Sequence, residues 1–501
     1  MSPFSTPLPI GIRSLAISFP SVIRTNDYWQ QKYPEMVRSQ PKRSRKNRAA
    51  ISGTADCGFD LWSQEVAPYL SDSFRGSLER RVLGENESSL AVQCRAATEA
   101  LAAAKLDVRE VDVAIATSLF ADNLGMDNTP QLTQKLGLNC PAWSLESTCS
   151  SALIALQNAC ALIQTGEYQN ALVIVSHFGS NTVRETDTLA WSLGDGAGAF
   201  VVAQLQPNQG VLANKVVSTA DTHGAYSHQL EIDPFGKPRI TTQTGENASS
   251  LAETAVDFVR TCCQEAAVKA GVSLAQIDFF VFNTPTAWYA NVCTRALDIE
   301  PERTLNLYPY YGNIGPVFPL ANLNHAAREE KIQENSLVLV YTNGASATAA
   351  ATVMRWGDVA LGTAPAPPLT SCDTRVRLQE TQTSYPSQPT LSKTKVLAVV
   401  PEKRQQIIQD YLIAWLAHCL QCLPDEINPD RPLTMWLDSL MTFFLKSRIE
   451  VDLEICVPIE KFFGNNNLTN LTQLILDRVI LSNLAQSTNC NETSEQETLN
   501  L

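Results

Sequence analysis

The chain is expected to be an α/β protein carrying a small, separate helical unit at its C-terminal end. Three observations lead there. Buried-strand runs such as Val111–Ser118 (VDVAIATS) and Ala171–Ser176 (ALVIVS) alternate with helical runs of ten or more residues. The second half repeats the alternation, with helix Leu251–Ala270, strand Phe279–Asn283, helices Ala287–Leu297 and Pro319–Glu330, and strand Leu337–Thr342. From residue 358 the text becomes rich in Pro, Ser and Thr (TAPAPPLTS, TSYPSQPTLSKT), and beyond it only helical periodicity returns.

Taken in order, Ile10–Asn26 reads as a strand and turn. A basic cluster follows: Arg38, Lys42, Arg43, Arg45, Lys46 and Arg48. It is either a solvated loop or a docking patch for phosphate groups or an acidic carrier, since opposed charges raise encounter rates. Glu85–Lys105 has helical spacing and leads into the first buried strand. The stretch Trp143–Glu167 (WSLESTCSSALIALQNACALIQTGE) then runs into Thr148–Ser151, and Ala152–Ile163 is apolar on nearly every side. Such a helix has no solvent face and is predicted to be central and buried. Cys149 would sit at its N-terminal end, where unpaired N–H groups and the helix dipole favour a thiolate and lower the thiol pKa. A packed core cysteine is the competing reading. Gly194–Gly198 precedes a strand at Ala199–Ala203, where glycines let the backbone turn tightly and approach a neighbour.

Length and composition bound the answer. A chain of 501 residues exceeds one ordinary core, so two or more domains are expected. Hydrophobic content of 44% with 18% charged residues suits a soluble globular protein. Without a long apolar run or a signal-peptide profile, a cytoplasmic protein without membrane segments is expected. The thirteen cysteines are odd in number and scattered, several within apolar helical runs (Cys160, Cys262, Cys263), which reads as reduced thiols. Cys419 and Cys422 form a lone CxxC, and no metal site is expected there. A net charge of −13 argues against a nucleic-acid partner.

The Cys149 stretch resembles the nucleophile region of thiolase-fold condensing enzymes. The order of motifs resembles β-ketoacyl-ACP synthase III over about residues 8–356: TCSSALIAL, Gly194–Phe200 (GDGAGAF), Gly312–Pro316 (GNIGP), and the terminal strand pair around Asn343–Ser346. TCSSALIAL also resembles the active-site phrase of modular polyketide ketosynthases. The resemblance implies a five-layered αβαβα fold of two similar halves and a homodimer. It further implies that Cys149 accepts an acyl group as a thioester, with an oxyanion hole made by the N–H groups of Cys149 and Ala345. The family has glycine at the second position, and Ala345 supplies the same N–H. The family's histidine, in an HQAN-like phrase upstream of the GN asparagine, falls on Asn283, so the constellation reads Cys149–Asn283–Asn313. An amide donates hydrogen bonds but does not titrate, so it is no general base. His223 and His228 are candidates for a compensating base from another loop, and His177 is also present. His325 and His418 lie on expected helices and read as structural.

In the C-terminal unit, Lys403–Leu481, helices are expected at Ile407–Leu423, Ser439–Val451 and Leu471–Leu481, with a polar loop at Pro424–Arg431. Trp436–Leu440 (WLDSL) resembles an acyl carrier protein site, where Ser439 takes a 4′-phosphopantetheine arm from a phosphopantetheinyl transferase. An isolated DSL is otherwise an ordinary N-cap; the flanking LPDEINPDRPL and CVPIEKFF belong to the same resemblance. Residues 404–482 hold ten acidic and six basic side chains, net −4, as a carrier meeting a basic surface would. The expected organisation is therefore a synthase III-like domain at 1–357, a linker at 358–402, a carrier domain at 403–482 and a disordered polar tail at 483–501. A flexible linker of about 45 residues spans roughly 35–40 Å, giving the carrier access to a pocket of its own chain.

The activity expected on this reading is acyl transfer in polyketide or related specialised metabolism. Cys149 takes an acyl group from coenzyme A or a carrier and exchanges it with the Ser439 arm, with other carriers or synthase modules as partners. The alternatives are carbon–carbon condensation, decarboxylative or not, with Asn283 and Asn313 holding the malonyl carbonyl, and a catalytically silent scaffold that presents the carrier.

Overall fold

The structure is a computed structural model that describes residues 8–39, 58–70, 72–122, 128–232, 236, 238–369, 389–420, 423–437, 439–462 and 466–496. The chain divides into two compact units, the first holding residues 1–37, 55–67 and 74–372, the second holding residues 38–54, 68–73 and 373–501.

Two sheets build the first unit. Strands β1 (Ile10–Ser18), β4 (Val113–Leu119), β5 (Ala142–Ser144), β6 (Ala171–Phe178), β7 (Asp195–Gln204) and β14 (Ala360–Leu361) form one, in the order β14-β1-β7-β6-β4-β5. The other runs β11-β12-β13-β8, from β8 (Gly210–Ser218), β11 (Phe279–Phe282), β12 (Leu337–Asn343) and β13 (Thr348–Arg355). Strands β2 (Val22–Thr25) and β3 (Glu79–Val82) pair with each other, as do β9 (Tyr226–Ile232) and β10 (Pro238–Thr244). Every residue of β6 (ALVIVSHF) is buried, as a strand covered on both faces must be.

The two large sheets repeat one topology. In the first, β4 and β6 run parallel while β7 and β1 pair antiparallel; in the second, β11 and β12 run parallel while β13 and β8 pair antiparallel. Helix Ser151–Gln164 enters β6, and helix Phe318–Arg328 leads to β12. Both pack between the sheets, the first against β6, β7 and β13, the second against β1 and β11. Helix Ser89–Ala104 covers the outer face of β1 and β7, and helix Ala255–Lys269 that of β8 and β13. The unit is thus five layers of two similar halves. The central helix departs from expectation on one side, because Gln157, Asn158, Ala161 and Gln164 are exposed.

Asp195–Gly198 of the GDGAG segment lie within β7 and not ahead of it, with Gly194 just before the strand. Its glycines serve close packing: a Cβ at Gly198 would stand 2.8 Å from Leu320 Cδ1, and one at Gly196 would stand 3.1 Å from the Phe19 ring. Asp195, with no exposed surface, accepts hydrogen bonds from Leu83 N (3.0 Å), Ser180 N (2.9 Å) and Ser180 Oγ (2.6 Å), tying β7 to two loops. Burial nonetheless pushes its carboxyl up to about 6, with those donors opposing. An acid whose pKa is raised by folding gives up stability as pH rises through that value. We therefore expect urea melts to show the stability difference between wild type and Asp195→Asn narrowing from pH 4 to pH 7; a constant difference would refute the assignment.

In the second unit, helices Pro401–Leu420, Ser439–Leu453 and Leu468–Gln496 bury Ile408, Leu412, Leu416, Met441, Leu445, Ile449, Leu471 and Ile475. A further helix, Lys393–Ala398, falls inside the stretch that composition marks as linker; Ser392 caps it and Val396 is buried. The last helix runs into the expected disordered tail as far as Gln496, since no Gly or Pro interrupts it after residue 468. Among the described residues no helix is long and apolar enough to cross a membrane.

Candidate active site

The turn Ser147–Ser151 is built by its own hydroxyls. Ser151 Oγ accepts from Ser147 N (2.8 Å) and donates to Thr148 O (2.7 Å), holding Thr148 at φ +47° ahead of the central helix. Ser150 Oγ accepts from Thr342 Oγ1 (3.0 Å) and donates to Thr348 O (2.7 Å). Thr148 Oγ1 donates to Ala345 O (3.2 Å), and the hydroxyls of Ser147 and Thr348 meet at 2.7 Å. The hairpin Asn343–Thr348, from the second sheet, is thereby pressed onto the cysteine turn of the first half. Among the described residues, neither Cys149 N–H nor Ala345 N–H has a hydrogen-bond partner. Two free donors on touching loops are what an oxyanion hole requires. A Cβ on Gly344 would collide with Thr148 Oγ1 and stand 2.7 Å from Ser147 O. Gly344→Ala should then displace the hairpin and slow acylation of Cys149 by about 10²-fold, measured by single-turnover mass spectrometry.

The thiol does not behave as its place at the helix N-terminus suggests. Burial pushes it up to about 11, and no cationic side chain acts to lower it. Tyr226, at the start of β9, stands close by: the residue is 40% exposed, and desolvation of the hydroxyl end with the neighbouring Cys149 raises its phenol. Nothing in the sequence singles out this tyrosine. With a pKa of about 11, carbamidomethylation of Cys149, followed peptide by peptide, should rise about tenfold per pH unit between pH 7 and 9; a plateau near neutrality would mean an activated thiolate.

Asn283 follows β11 and its N–H bonds Tyr341 O at 3.0 Å, in register with Thr342 on β12. Its side chain therefore shares a sheet face with the Thr342 hydroxyl that reaches Ser150. It is fully buried, and both its amide oxygen and nitrogen lack partners. An unpaired buried amide is costly, so the group fits a polar ligand atom. Asn313 sits before the turn Gly315–Val317 that opens helix Phe318–Arg328, packed on the cysteine turn. Its Oδ1 accepts from Gly315 N (2.9 Å), which turns the NH₂ group away from the backbone.

The histidines are placed differently from one another. His223 lies on an exposed loop, its carbonyl accepting from Asn247 Nδ2. His228, on β9, meets Thr242 Oγ1 through Nδ1 (3.1 Å) and lies 5.2 Å from the Phe120 ring. His177, at the end of β6, lies across the same ring at 5.6 Å and is buried. Burial lowers both His228 and His177, the latter to about 4, so both are neutral at pH 7. His325 meets Tyr311 OH. Among the described residues, none of these rings hydrogen-bonds Cys149. Arg38 belongs to the short helix Pro34–Ser39, while Lys42, Arg43, Arg45, Lys46 and Arg48 lie outside the described residues. Ser439 is the first residue of its helix.

The chain is similar to known proteins in both halves of the first unit. The family model for 3-oxoacyl-[acyl-carrier-protein] synthase III matches residues 144–220, and that for its C-terminal part matches residues 267–356. The β-ketoacyl-[acyl-carrier-protein] synthase III of Chelativorans sp. is 26% identical over 287 residues, covering 56% of this chain and 88% of that protein. Its counterpart in Microcystis aeruginosa is 27% identical over 295 residues, covering 57% and 88%. Among solved structures, the synthase III of Aquifex aeolicus superposes with a TM-score of 0.53 at 23% identity, over 69% of this chain and all (100%) of that one. Cerulenin-bound OleA of Xanthomonas campestris gives 0.56 at 16% identity, over 70% and 98%.

Proposed function

Taking residues 144–356 as a ketosynthase III-like enzyme of thiolase-like fold, we propose that the chain is an acyltransferase that carries acyl groups on Cys149 and exchanges them with a phosphopantetheine arm on Ser439, in polyketide or related specialised metabolism. The observation that carries the proposal is the pairing of Cys149 with two unengaged N–H donors on interlocked loops. The sulfur attacks a thioester carbonyl, the oxyanion is held by Cys149 N–H and Ala345 N–H, and the departing thiol takes the thiol proton. The reverse sequence delivers the acyl group to the next thiol. Coenzyme A or carrier thioesters are the donors, and the basic cluster from Arg38 to Arg48 would receive the acidic carrier.

Condensation is the second reading, favoured by the relatives' synthase III names and by the two asparagines. Asn283 and Asn313 would donate to the thioester oxygen of a malonyl unit. As carbon dioxide leaves, its bonding electrons pass to the α-carbon, which attacks acyl-Cys149 and frees the sulfur. Neutral amides support this without a titrating base, by stabilising developing negative charge on oxygen.

Mass spectrometry of the phosphopantetheinylated protein with a panel of acyl thioesters separates the readings. Acyl-Cys149 followed by acyl-Ser439 arm is expected, with Cys149→Ala silent and Ser439→Ala stopping at acyl-Cys149. Added mass accompanied by carbon dioxide release would select condensation. A wild type that takes no acyl group, indistinguishable from Cys149→Ala, would leave a silent scaffold.

A further inference from the structure

His177 has no part in the transfer or the condensation described above, yet two contacts of its ring, with Gly194 and Gly315, lead to Asn313. Its Nδ1 lies 3.1 Å from Gly194 O. A carbonyl oxygen only accepts, so Nδ1 carries the proton and the neutral ring is the Nδ1–H tautomer. Gly194 in turn donates its N–H to Asn313 O (3.1 Å), and Asn313 donates its own N–H to Ser192 O (2.6 Å). The ring is also held edge to edge between two glycines: a Cβ at Gly179 would stand 2.6 Å from Cε1, and one at Gly315 would stand 2.8 Å from Cδ2. Gly315 is the residue whose N–H fixes Asn313 Oδ1. One side of the imidazole thus sets the Asn313 backbone through Gly194, and the other sets its side-chain amide through Gly315.

We propose that His177 is a positioning residue for Asn313, aiming its NH₂ group at the incoming thioester, and so supports departure of the acyl group from Cys149 and not its arrival. The inference rests on the condensation reading, in which arrival draws on the two backbone donors and departure, by attack of the malonyl carbon on acyl-Cys149, draws on the asparagines.

His228 sharpens the assignment by contrast. Thr242 Oγ1 donates to Thr182 Oγ1 (2.8 Å), which donates to Gly179 O (2.9 Å), so Thr242 accepts from His228 Nδ1–H. That relay ends on the carbonyl of Gly179, beside the His177 ring, and carries no hydrogen bond on to Asn313. His228→Leu is therefore the control.

The test compares two substitutions at one site. His177→Asn keeps an N–H where Nδ1 stood; His177→Leu keeps bulk and removes the donor. Acyl-Cys149 formation should stay within about threefold of wild type in both, whereas acyl departure should fall about 10- to 100-fold in His177→Leu, as small misplacements of a reacting group do, and recover in His177→Asn. His228→Leu should leave departure unchanged. Equal loss of both half-reactions, or His177→Asn no better than His177→Leu, would overturn the proposal. A second measurement needs no acyl chemistry: in ¹⁵N-histidine, ¹⁵N-asparagine protein the His177 ring should show protonated Nδ1 and bare Nε2, and the Asn313 NH₂ resonance should move in His177→Leu. The opposite tautomer in wild type, or an unmoved Asn313 resonance, would overturn the positioning role even in a protein that takes no acyl group. The tautomer reading stands on wild type alone, should the leucine variant fail to fold.

Discussion

The site depends on the hydrogen bond from Thr342 Oγ1 to Ser150 Oγ. Thr342 belongs to the second sheet, Ser150 to the turn that feeds the first central helix, and no strand is shared between the halves. A single neutral hydrogen bond contributes only about 1 kcal/mol. Its value here is positional, because Ser150 passes the bond on to Thr348 O and so fixes both ends of the hairpin that bears Ala345. The two serines after Cys149 are structural for the same reason: one closes the turn on itself, the other fastens it to the opposite half.

The electrostatics follow from what the pocket lacks. The oxyanion donors act once attack has begun and do nothing to ionise a resting thiol. With burial holding the sulfur at about 11 and the nearby histidines neutral, the resting thiol stays protonated at pH 7. Asn283 carries no charge at any pH and offers the sulfur no ion pair. It leaves a pocket of fixed dipoles, suited to stabilising charge that appears during reaction.

Much of this was legible in the sequence, for identifiable reasons. Strands such as ALVIVSHF and helices such as Ser89–Ala104 declare themselves because burial on both faces, or along one stripe, imposes a pattern of apolar residues. The position of Cys149 at a helix entrance was equally visible. Its acidity was not, since the N-terminal dipole can be read from sequence but the desolvation that outweighs it depends on distant chain. The glycines of GDGAGAF do approach neighbours closely, as expected, but from within the strand, because packing against Leu320 and Phe19 is a tertiary fact. The ribbon of β9 and β10 announced no element, so Tyr226 arrived beside the thiol unforeseen. His177 looked like one histidine among five until Gly194 and Gly315 were seen on either side of it.

The internal repetition has a consequence for how such a centre can be divided. Cys149 lies in the short turn that opens one middle helix, and Asn313 lies just ahead of the corresponding turn in the duplicate, Gly315–Val317. Sulfur and amide therefore stand at equivalent corners of the two similar halves. Neither half carries both groups, so cutting the chain between them would part the sulfur from the amide.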